Sequence, residues 1–512
     1  MNSYKAFLFL ILIACISLES CSGLPKGSTG GGGTANVSFV LVSDTPPATL
    51  GLVSFTVTAT SITLTPSAGT PTTFSLNSGN GFSFDLVRLQ SDSGFLGTVP
   101  KVPTGTYSSV TVNFAGATLA FFNGTGAAIT NLNPQCAVNT VCVATFAGPF
   151  ASTITAAQTI NGDIGLGIDV KLANALTLSG TTLTMNLANS GNTPVTTTFT
   201  LPGTNSNLAV GQLALIEDIT GTVTTANTSV TITPAQLMSS FPITASTNSS
   251  TNYDPDPTNT LCPAGTTQLA SCVAGNQAAS MDAILNSDGT FTVREIEPLL
   301  ASPIADTVEG TVVSINPNDL TQFGLITTNL IPAATNSLIS SLSVGAPLTV
   351  NLPNNPNPFL IDSKGLPVAS QFPAIYGNFA NAINTAAIHL GQTVAVHVTA
   401  FTPAIGNIVA SSTANTVTLR WTRLTASTAI ATPGAFTINF LPGDFGFNQG
   451  ITFQVQTFTG TQGAHGVTNL DGFQGDTSNL KVGSPVAVRA LFIENPANTL
   501  NPAFFAAKVR QH

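Results

Sequence analysis

The sequence predicts an all-β protein: an N-terminal β-sandwich followed by about three small β-sandwich or β-barrel domains. Only 7% of the 512 residues are charged, so the Lys, Glu and Arg that usually cover helix surfaces are scarce. Thr, Val, Ile and Phe, which favour strands, are punctuated by 45 Gly and 32 Pro residues. Short runs of alternating apolar and polar residues recur along the chain, which is typical of half-buried strands.

Residues 1–21 are typical of an export signal. Lys5 precedes an apolar run over residues 6–16, which is shorter than the roughly 20 apolar residues that span a bilayer. The segment resembles a bacterial lipoprotein signal, in which a cysteine is lipidated and becomes the mature N-terminus. Cys21 is the expected lipidation site because a polar stretch starts directly after it, and Cys15 is the alternative. The Gly/Ser-rich residues 22–35 are expected to form a flexible tether.

Residues 36–205 are expected to form the β-sandwich. Apolar residues alternate over residues 53–57 and change parity at Ile62, which predicts a bulge near residues 60–61. Similar alternation follows at residues 82–86. Short alternating strands at this spacing favour a sandwich.

Five short stretches of this region carry a resemblance to a known family. They are residues 43–46, 55–62, 84–89, 103–107 and 165–172. Together they resemble a family of bacterial lipoprotein domains classed only as a domain of unknown function. The resemblance implies an immunoglobulin- or transthyretin-like sandwich near the mature N-terminus of an exported protein, and it brings no catalytic residues with it.

The rest of the chain carries an internal repeat. A Gly-Thr-Val element occurs at residues 221–223 and 310–312, and a glycine turn opening a strand recurs at residues 345–350, 391–396 and 483–488. The repeats resemble small β-barrel repeats, also of unknown function, of exported bacterial proteins.

The repeats predict three β domains, at residues 206–305, 306–415 and 416–512. In the second domain, Phe372, Ile375, Phe379 and Ile383 lie at helical spacing. This spacing predicts one short helix within residues 371–388.

Four cysteines beyond the signal form two close pairs. Since an exported protein lies where disulfides persist, we predict the pairs Cys136–Cys142 and Cys262–Cys272. Four cysteines allow three pairings, so the sequence alone leaves the choice open. Zinc is the alternative, but neither spacing is C-x₂₋₄-C and no histidine is near.

Composition and motifs exclude several classes of function. The net charge is −9, with 13 basic residues, so the chain has no basic stripe for phosphates and we expect no nucleic-acid partner. Neither G-x-S-x-G, H-E-x-x-H nor G-x-x-x-x-G-K-[ST] occurs. The four histidines have no partner at a spacing that indicates a general base. We therefore expect no catalytic residue and no cofactor.

Carboxylates are the candidates for a hydrolase, because glycosidases take two of them from distant strands. Those in or beside predicted strands are Asp85, Asp169, Glu295 and Glu297. We interpret them as structural: the first two flank apolar runs that offer backbone and arginine partners, and the last two share a solvated strand face.

The sequence offers candidates for two further kinds of site, a calcium site and a sugar-stacking surface. Asp254 and Asp256 are candidate calcium ligands, but they also fit a turn between strands, and no metal is assigned. Trp421 shares parity with apolar neighbours, so we expect it in a core. With one Trp and four Tyr, the chain has few of the side chains that stack on sugars.

These observations favour a non-enzymatic, lipid-anchored protein of the bacterial envelope, with a binding, adhesion or scaffolding role. Ser22, in place of the aspartate that favours inner-membrane retention, indicates the outer membrane, on its periplasmic or surface face. The expected partners are the membrane, through the lipid, and an unknown protein or glycan ligand. The alternatives are a carboxylate-type envelope hydrolase and a surface glycan-binding accessory protein.

Overall fold

The computed structural model describes residues 33–44, 50–189, 194–200, 208–226, 228–235, 242–254, 261–263, 265–273, 275, 277–299, 305–316, 318–333, 335–353, 359–406, 408–439, 452–462, 464–495 and 503–511. The predicted signal, with Cys15 and Cys21, and most of the tether lie outside these residues. The described chain is all-β, as predicted. It contains no helix long and apolar enough to cross a membrane.

The N-terminal part folds into two sheets and a separate hairpin. Its strands are β1 (Thr34–Ser43), β2 (Gly51–Pro66), β3 (Thr72–Ser75), β4 (Phe82–Asp85), β5 (Gly94–Pro103), β6 (Gly105–Phe122), β7 (Val141–Ile154), β8 (Gln158–Ile160), β9 (Ile164–Val170), β10 (Leu176–Ser179), β11 (Thr182–Met185) and β12 (Thr196–Phe199). One sheet has the order β12–β9–β1–β5, with β1 and β9 parallel. The other has the order β3–β2–β6–β7, with β4 beside β2 and β8 beside β6, and β10 pairs with β11.

The core of this domain contains buried residues from both sheets, such as Phe39 of β1 and Phe55 of β2. The pairing of β2 with β6 shifts register between Ala59 and Ser61, where the parity change predicted a bulge. Strand β1 begins at Thr34, so the folded part starts two residues before residue 36, the predicted start of the sandwich.

The rest of the described chain forms three closed barrels of one topology. The strands are β13 (Gln212–Ala226), β14 (Ser229–Pro234), β15 (Ile243–Ser246), β16 (Asn252–Tyr253), β17 (Ala278–Asn286) and β18 (Phe291–Pro298); β19 (Thr307–Ile315), β20 (Gln322–Ile331), β21 (Pro347–Asn351), β22 (Phe359–Ile361), β23 (Thr393–Thr402) and β24 (Ala410–Leu419); and β25 (Thr422–Thr432), β26 (Ala435–Asn439), β27 (Phe453–Thr457), β28 (Asn469–Asp471), β29 (Pro485–Ile493) and β30 (Ala503–Gln511).

In the first barrel the order is β15–β14–β13–β17–β18, and β15 closes the barrel by pairing in parallel with β18. The short β16 adds to the other edge of β18. The second and third barrels repeat this order strand for strand. It is the connection order of the OB-fold, a five-stranded Greek-key barrel.

The repeated Gly-Thr-Val element has a steric cause. It lies on the first strand of a barrel, at the point where the backbone of that strand closely approaches the backbone of the second strand. A Cβ at Gly221 would clash with the carbonyl oxygen of Thr233, and one at Gly310 with that of Ile326. Glycine is therefore required where the two backbones approach.

In the part of the chain that the structure describes, helices are few and short. The α-helices cover Leu172–Ala175, Val368–Gln371 and Pro373–Ala380, and single 3₁₀ turns cover Leu76–Gly79, Arg88–Gln90, Leu269–Ser271, Thr385–Ala387 and Thr477–Asn479. The helix Pro373–Ala380 lies inside the region where helical spacing predicted one. Strand β24 continues to Leu419, so the second barrel extends past the predicted boundary at residue 415.

The two predicted disulfide pairs are present. Cys136 is bonded to Cys142 in the sandwich, and Cys262 to Cys272 in the first barrel. Both fit an oxidising, exported environment.

Candidate functional site

Ion pairs form a single buried network where the sandwich and the three barrels meet. We call it the central network. Its cations are Arg88, Lys364, Arg420, Arg423, Arg489 and Lys508, and its carboxylates are Asp92, Glu217, Asp218, Asp282, Glu309 and Asp362. The most exposed side chain among them, that of Arg420, is 14% exposed. Because six cations face six carboxylates, the network balances its own charge.

Each domain contributes to this network. The sandwich supplies Arg88 and Asp92 from the turn before β5; the first barrel supplies Glu217, Asp218 and Asp282; the second supplies Glu309, Asp362 and Lys364; the third supplies Arg423, Arg489 and Lys508. Arg420 lies in the connection between the second and third barrels. The contacts therefore tie all four domains together.

Asp218 is the hub of the central network. Its carboxylate lies 2.6 Å from Lys364 Nζ, 2.8 Å from Arg489 Nη2 and 2.9 Å from Arg423 Nη2. Arg88 and Arg420 lie farther away, at 3.4 and 3.7 Å. Burial alone would raise a carboxyl pKa, but these cations hold the pKa of Asp218 well below its usual range.

A backbone bulge orients the side chain of Asp218 towards its ion-pair partners. The register of β13 against β17 shifts between Ile216 and Ile219, and Asp218 takes a left-handed φ of 58°. Its N–H donates to Asp282 Oδ1 at 2.7 Å. This hydrogen bond satisfies the backbone group that the bulge removes from the strand ladder.

Trp421 closes the network on one side. It is 1% exposed, and the Arg489 guanidinium carbon lies 5.0 Å from its ring centroid, within the range of a cation–π contact. The core position predicted for this tryptophan agrees with its burial, which removes it from any sugar-stacking surface.

An acidic cluster, formed by Asp254, Glu295 and Glu297, lies beside Lys364. Burial raises the pKa of Glu295 to about 8, and Asp282, opposite it on β17, adds to the rise. Burial raises the pKa of Glu297 to about 8 as well, with a further contribution from Asp254. The solvated strand face predicted for the two glutamates is wrong: Glu297 is buried and Glu295 is half-buried, and Lys364 of the second barrel and His465 of the third lie close enough to influence the pKa of Glu295.

His465 brings the third barrel onto this cluster. Its Nε2 lies 2.9 Å from Asp254 Oδ1, and that hydrogen bond raises the pKa of His465. A Cβ at Gly365 of the second barrel would overlap the imidazole ring. The three barrels therefore meet at one histidine.

A cleft of about 730 Å³ opens beside the central network, between the sandwich, the first barrel and the third barrel. On the sandwich wall, Lys171 Nζ lies 3.2 Å from Asp44 and 2.5 Å from Asp169. On the third-barrel wall, Arg510 pairs with Asp471 at 2.9 Å. The volume is in the range of small-molecule sites, which often lie between domains.

The first-barrel wall of the cleft carries an available cation. Arg294 lines the cleft and is half-buried on β18. It has no ion-pair partner among the residues that the structure describes. Phe199, Leu213 and Ile284 add apolar surface to the lining. A small ligand with an anionic group and an apolar part fits this combination.

The sequence-predicted candidates are dispersed. Asp85 Oδ1 accepts the N–H groups of Phe55 and Val87, the structural role expected of it. Asp169 alone of the four carboxylates lines the cleft. Of the calcium candidates, Asp254 bonds to His465, and Asp256 lies outside the described residues. No group of three or more metal-ligating side chains with the geometry of a site occurs among the residues described.

Sequence reasoning missed the central network. The available signal was a charge inside an apolar strand, as with Arg489 in the middle of β29. Such a charge is almost never buried without a partner. The partners come from other domains and give no local pattern.

No protein-family model matches this sequence, and no curated protein matches it.

Proposed function

We propose that this protein is exported, is anchored to the bacterial envelope through a lipid on Cys21, and has a non-catalytic binding, adhesion or scaffolding role. The lipoprotein-like signal and the resemblance to lipoprotein domains of unknown function support the anchoring. The two disulfides support an oxidising compartment.

The observation that carries the proposal is the use of charge. Six of the 13 basic residues of the chain lie in the central network, which joins four domains. Removing one partner of a buried ion pair typically costs about 3–5 kcal/mol, so such a junction resists hinge motion. A rigid body with a fixed cleft suits binding or display better than a reaction cycle that needs domain closure.

The anchoring is tested on the full chain expressed in a bacterium with a lipoprotein pathway. We expect the wild type and Cys15→Ser to fractionate with membranes and to carry an acylated N-terminal cysteine by intact mass. Cys21→Ser is expected in the soluble periplasmic fraction. Membrane association of Cys21→Ser together with loss in Cys15→Ser would assign the lipid to the other cysteine, and an unmodified wild type would reject the anchor.

The cleft tests the binding role. A panel of small organic acids and their uncharged amides is screened by thermal shift against the purified protein. We expect an acid to raise the melting temperature and its amide not to, with the shift lost in Arg294→Gln and retained in Lys101→Gln, which removes an exposed cation outside the cleft. Equal shifts in both variants would place binding elsewhere.

The second candidate is a carboxylate-type hydrolase, favoured by one observation. Asp44 and Asp169 share the cleft and one lysine, and burial raises the pKa of Asp44, as for a general acid. Hydrolysis of a glycan or ester substrate that is abolished by both Asp44→Asn and Asp169→Asn would establish this function in place of the first.

A further inference from the structure

The loop between β23 and β24 of the second barrel ends in an exposed apolar tip, formed by Ile405, Ile408 and Val409. These side chains are 70%, 72% and 43% exposed. Ile405 and Ile408 exchange two backbone hydrogen bonds, at 3.1 and 3.0 Å, and Gly406 takes a left-handed φ of 57°. This backbone pairing holds the two isoleucine side chains in solvent.

The corresponding loop of the first barrel makes hydrogen bonds to a neighbouring domain. In the first barrel, Ser287 accepts the N–H of Gly165 at 3.1 Å, and the Ser38 hydroxyl donates to Gly289 at 3.1 Å; both partners belong to the sandwich. In the third barrel, Glu494 lies 3.2 Å from His389 of the second barrel. The loop therefore contacts a neighbouring domain in the first barrel, and its first residue does so in the third, whereas Ile405, Ile408 and Val409 of the second barrel face solvent.

The chemistry of the tip fits a lipid surface. Between His397 and Arg420 the sequence has no charged residue, so inserting the tip desolvates no ion. The N–H and C=O groups of Ile405 and Ile408 pair with each other, so these two residues bring no unpaired backbone group into an apolar medium. Three side chains are also far below the roughly 800 Å² per partner of a stable protein interface.

We propose that this tip inserts into the boundary between lipid headgroups and acyl chains of the membrane that carries the protein. The inference rests on the proposed anchor, which keeps the barrels close to a bilayer. The anchor and the tip would then be two separate contacts, which together hold the body in one orientation at the surface.

The test uses the full lipidated protein, reconstituted into phosphatidylcholine vesicles with and without bromine-labelled phosphatidylcholine. Ile408→Trp places an indole at the tip. Ile430→Trp is the matched control, since Ile430 is 58% exposed on the third barrel, and the wild type corrects for the buried Trp421. We expect a blue shift on vesicle binding and loss of most of the added emission with brominated lipid for Ile408→Trp, and neither change for Ile430→Trp.

Flotation of the vesicles tests the lipid anchor separately from the insertion of the tip. Protein that floats without quenching of the tip indole would overturn the insertion and leave the anchor intact. Protein that does not float would overturn both, because the tip alone then fails to hold it. A blue shift without vesicles, accompanied by a dimer in sedimentation velocity, would make the tip a protein interface and reject the lipid contact.

Discussion

The inside of each barrel and the space between the barrels are held by opposite kinds of contact. The core of the third barrel is apolar, with Ile438, Phe453 and Val488 at most 1% exposed. A few residues away, Arg423 and Arg489 enter the central network. Each barrel is stabilised by the burial of apolar side chains, which has no directional preference. The arrangement of the barrels is stabilised by charged groups that require particular partners at particular angles.

The contrast teaches how four domains with similar strands find one arrangement. An apolar interface between such domains tolerates sliding, since one apolar surface resembles another. A charge that leaves its partner in a buried site pays a desolvation penalty that nothing offsets. The central network therefore specifies the relative positions of the domains, and each barrel core specifies its own barrel.

The largest expected effect follows from removing the hub. Asp218→Ala leaves three close cations without a shared carboxylate, so we expect the free energy of unfolding to fall by about 3–5 kcal/mol. We also expect small-angle X-ray scattering to show a larger radius of gyration as the domains separate. The control is Asp288→Ala, whose carboxylate serves only Thr290 in an exposed turn, with a loss of about 1 kcal/mol or less. If urea unfolding shows equal losses of unfolding free energy for Asp218→Ala and Asp288→Ala, the hub contributes no more to stability than an exposed carboxylate.

A core substitution in the third barrel sharpens the comparison. Ile438→Ala removes three carbons from a fully buried side chain, and we expect a loss of about 2–5 kcal/mol. The radius of gyration should stay at the wild-type value, because no interdomain contact changes. Ile430→Ala makes the same chemical change at an exposed site on the same barrel and should alter stability by about 0.5 kcal/mol or less. Domain separation in Ile438→Ala would mean that core and junction are coupled.

The same contrast explains what the sequence could predict. Alternation reports which residues of one strand share a face, so the strands around Phe55, the bulge near Ser61 and the core position of Trp421 followed from local pattern. The partners of Asp218 come from three other domains and as many as 271 residues away, and no local period records them. The prediction for Glu297 was wrong for the same reason: its strand face is polar by pattern, but the side chain is buried near charged groups such as Lys364 that come from another domain.

The acidic cluster predicts an unusual pH dependence. Glu297 has a pKa of about 8 in the folded protein against 4.5 in a free side chain, so the unfolded chain releases this proton first. Stability should therefore fall as pH rises from about 4.5 to 8, by up to about 1.4 kcal/mol per pH unit for each such group, and then level off. Glu297→Gln cannot ionise, so it should remove the share of this slope that Glu297 contributes and be more stable than the wild type at pH 8. Urea unfolding across this range measures the effect.

Asp319→Asn is the control for that slope. Asp319 lies in a turn outside the acidic cluster, and hydrogen bonds from Thr321 lower its pKa, so its contribution is lost only as pH falls into the acid range. Its substitution should leave the slope between about pH 4.5 and 8 unchanged. A wild-type slope that survives in Glu297→Gln would assign the effect to Glu295 or to another group.

The smallest expected effect lies at the edge of the junction, where charge meets solvent. The hydrogen bond to Asp254 raises the pKa of His465, so the stability it contributes is fully present below about pH 6.5 and is lost as pH rises through the folded value. The imidazole is 35% exposed, and solvent screening should hold its contribution below about 1 kcal/mol. In an NMR titration of the ring protons, Asp254→Asn should lower the pKa of His465, while Asp288→Asn, remote from the ring, should leave it unchanged. If the pKa of His465 stays raised in Asp254→Asn, the third barrel is held here by packing of the imidazole ring on Gly365. Charge would then not position the barrels at this contact.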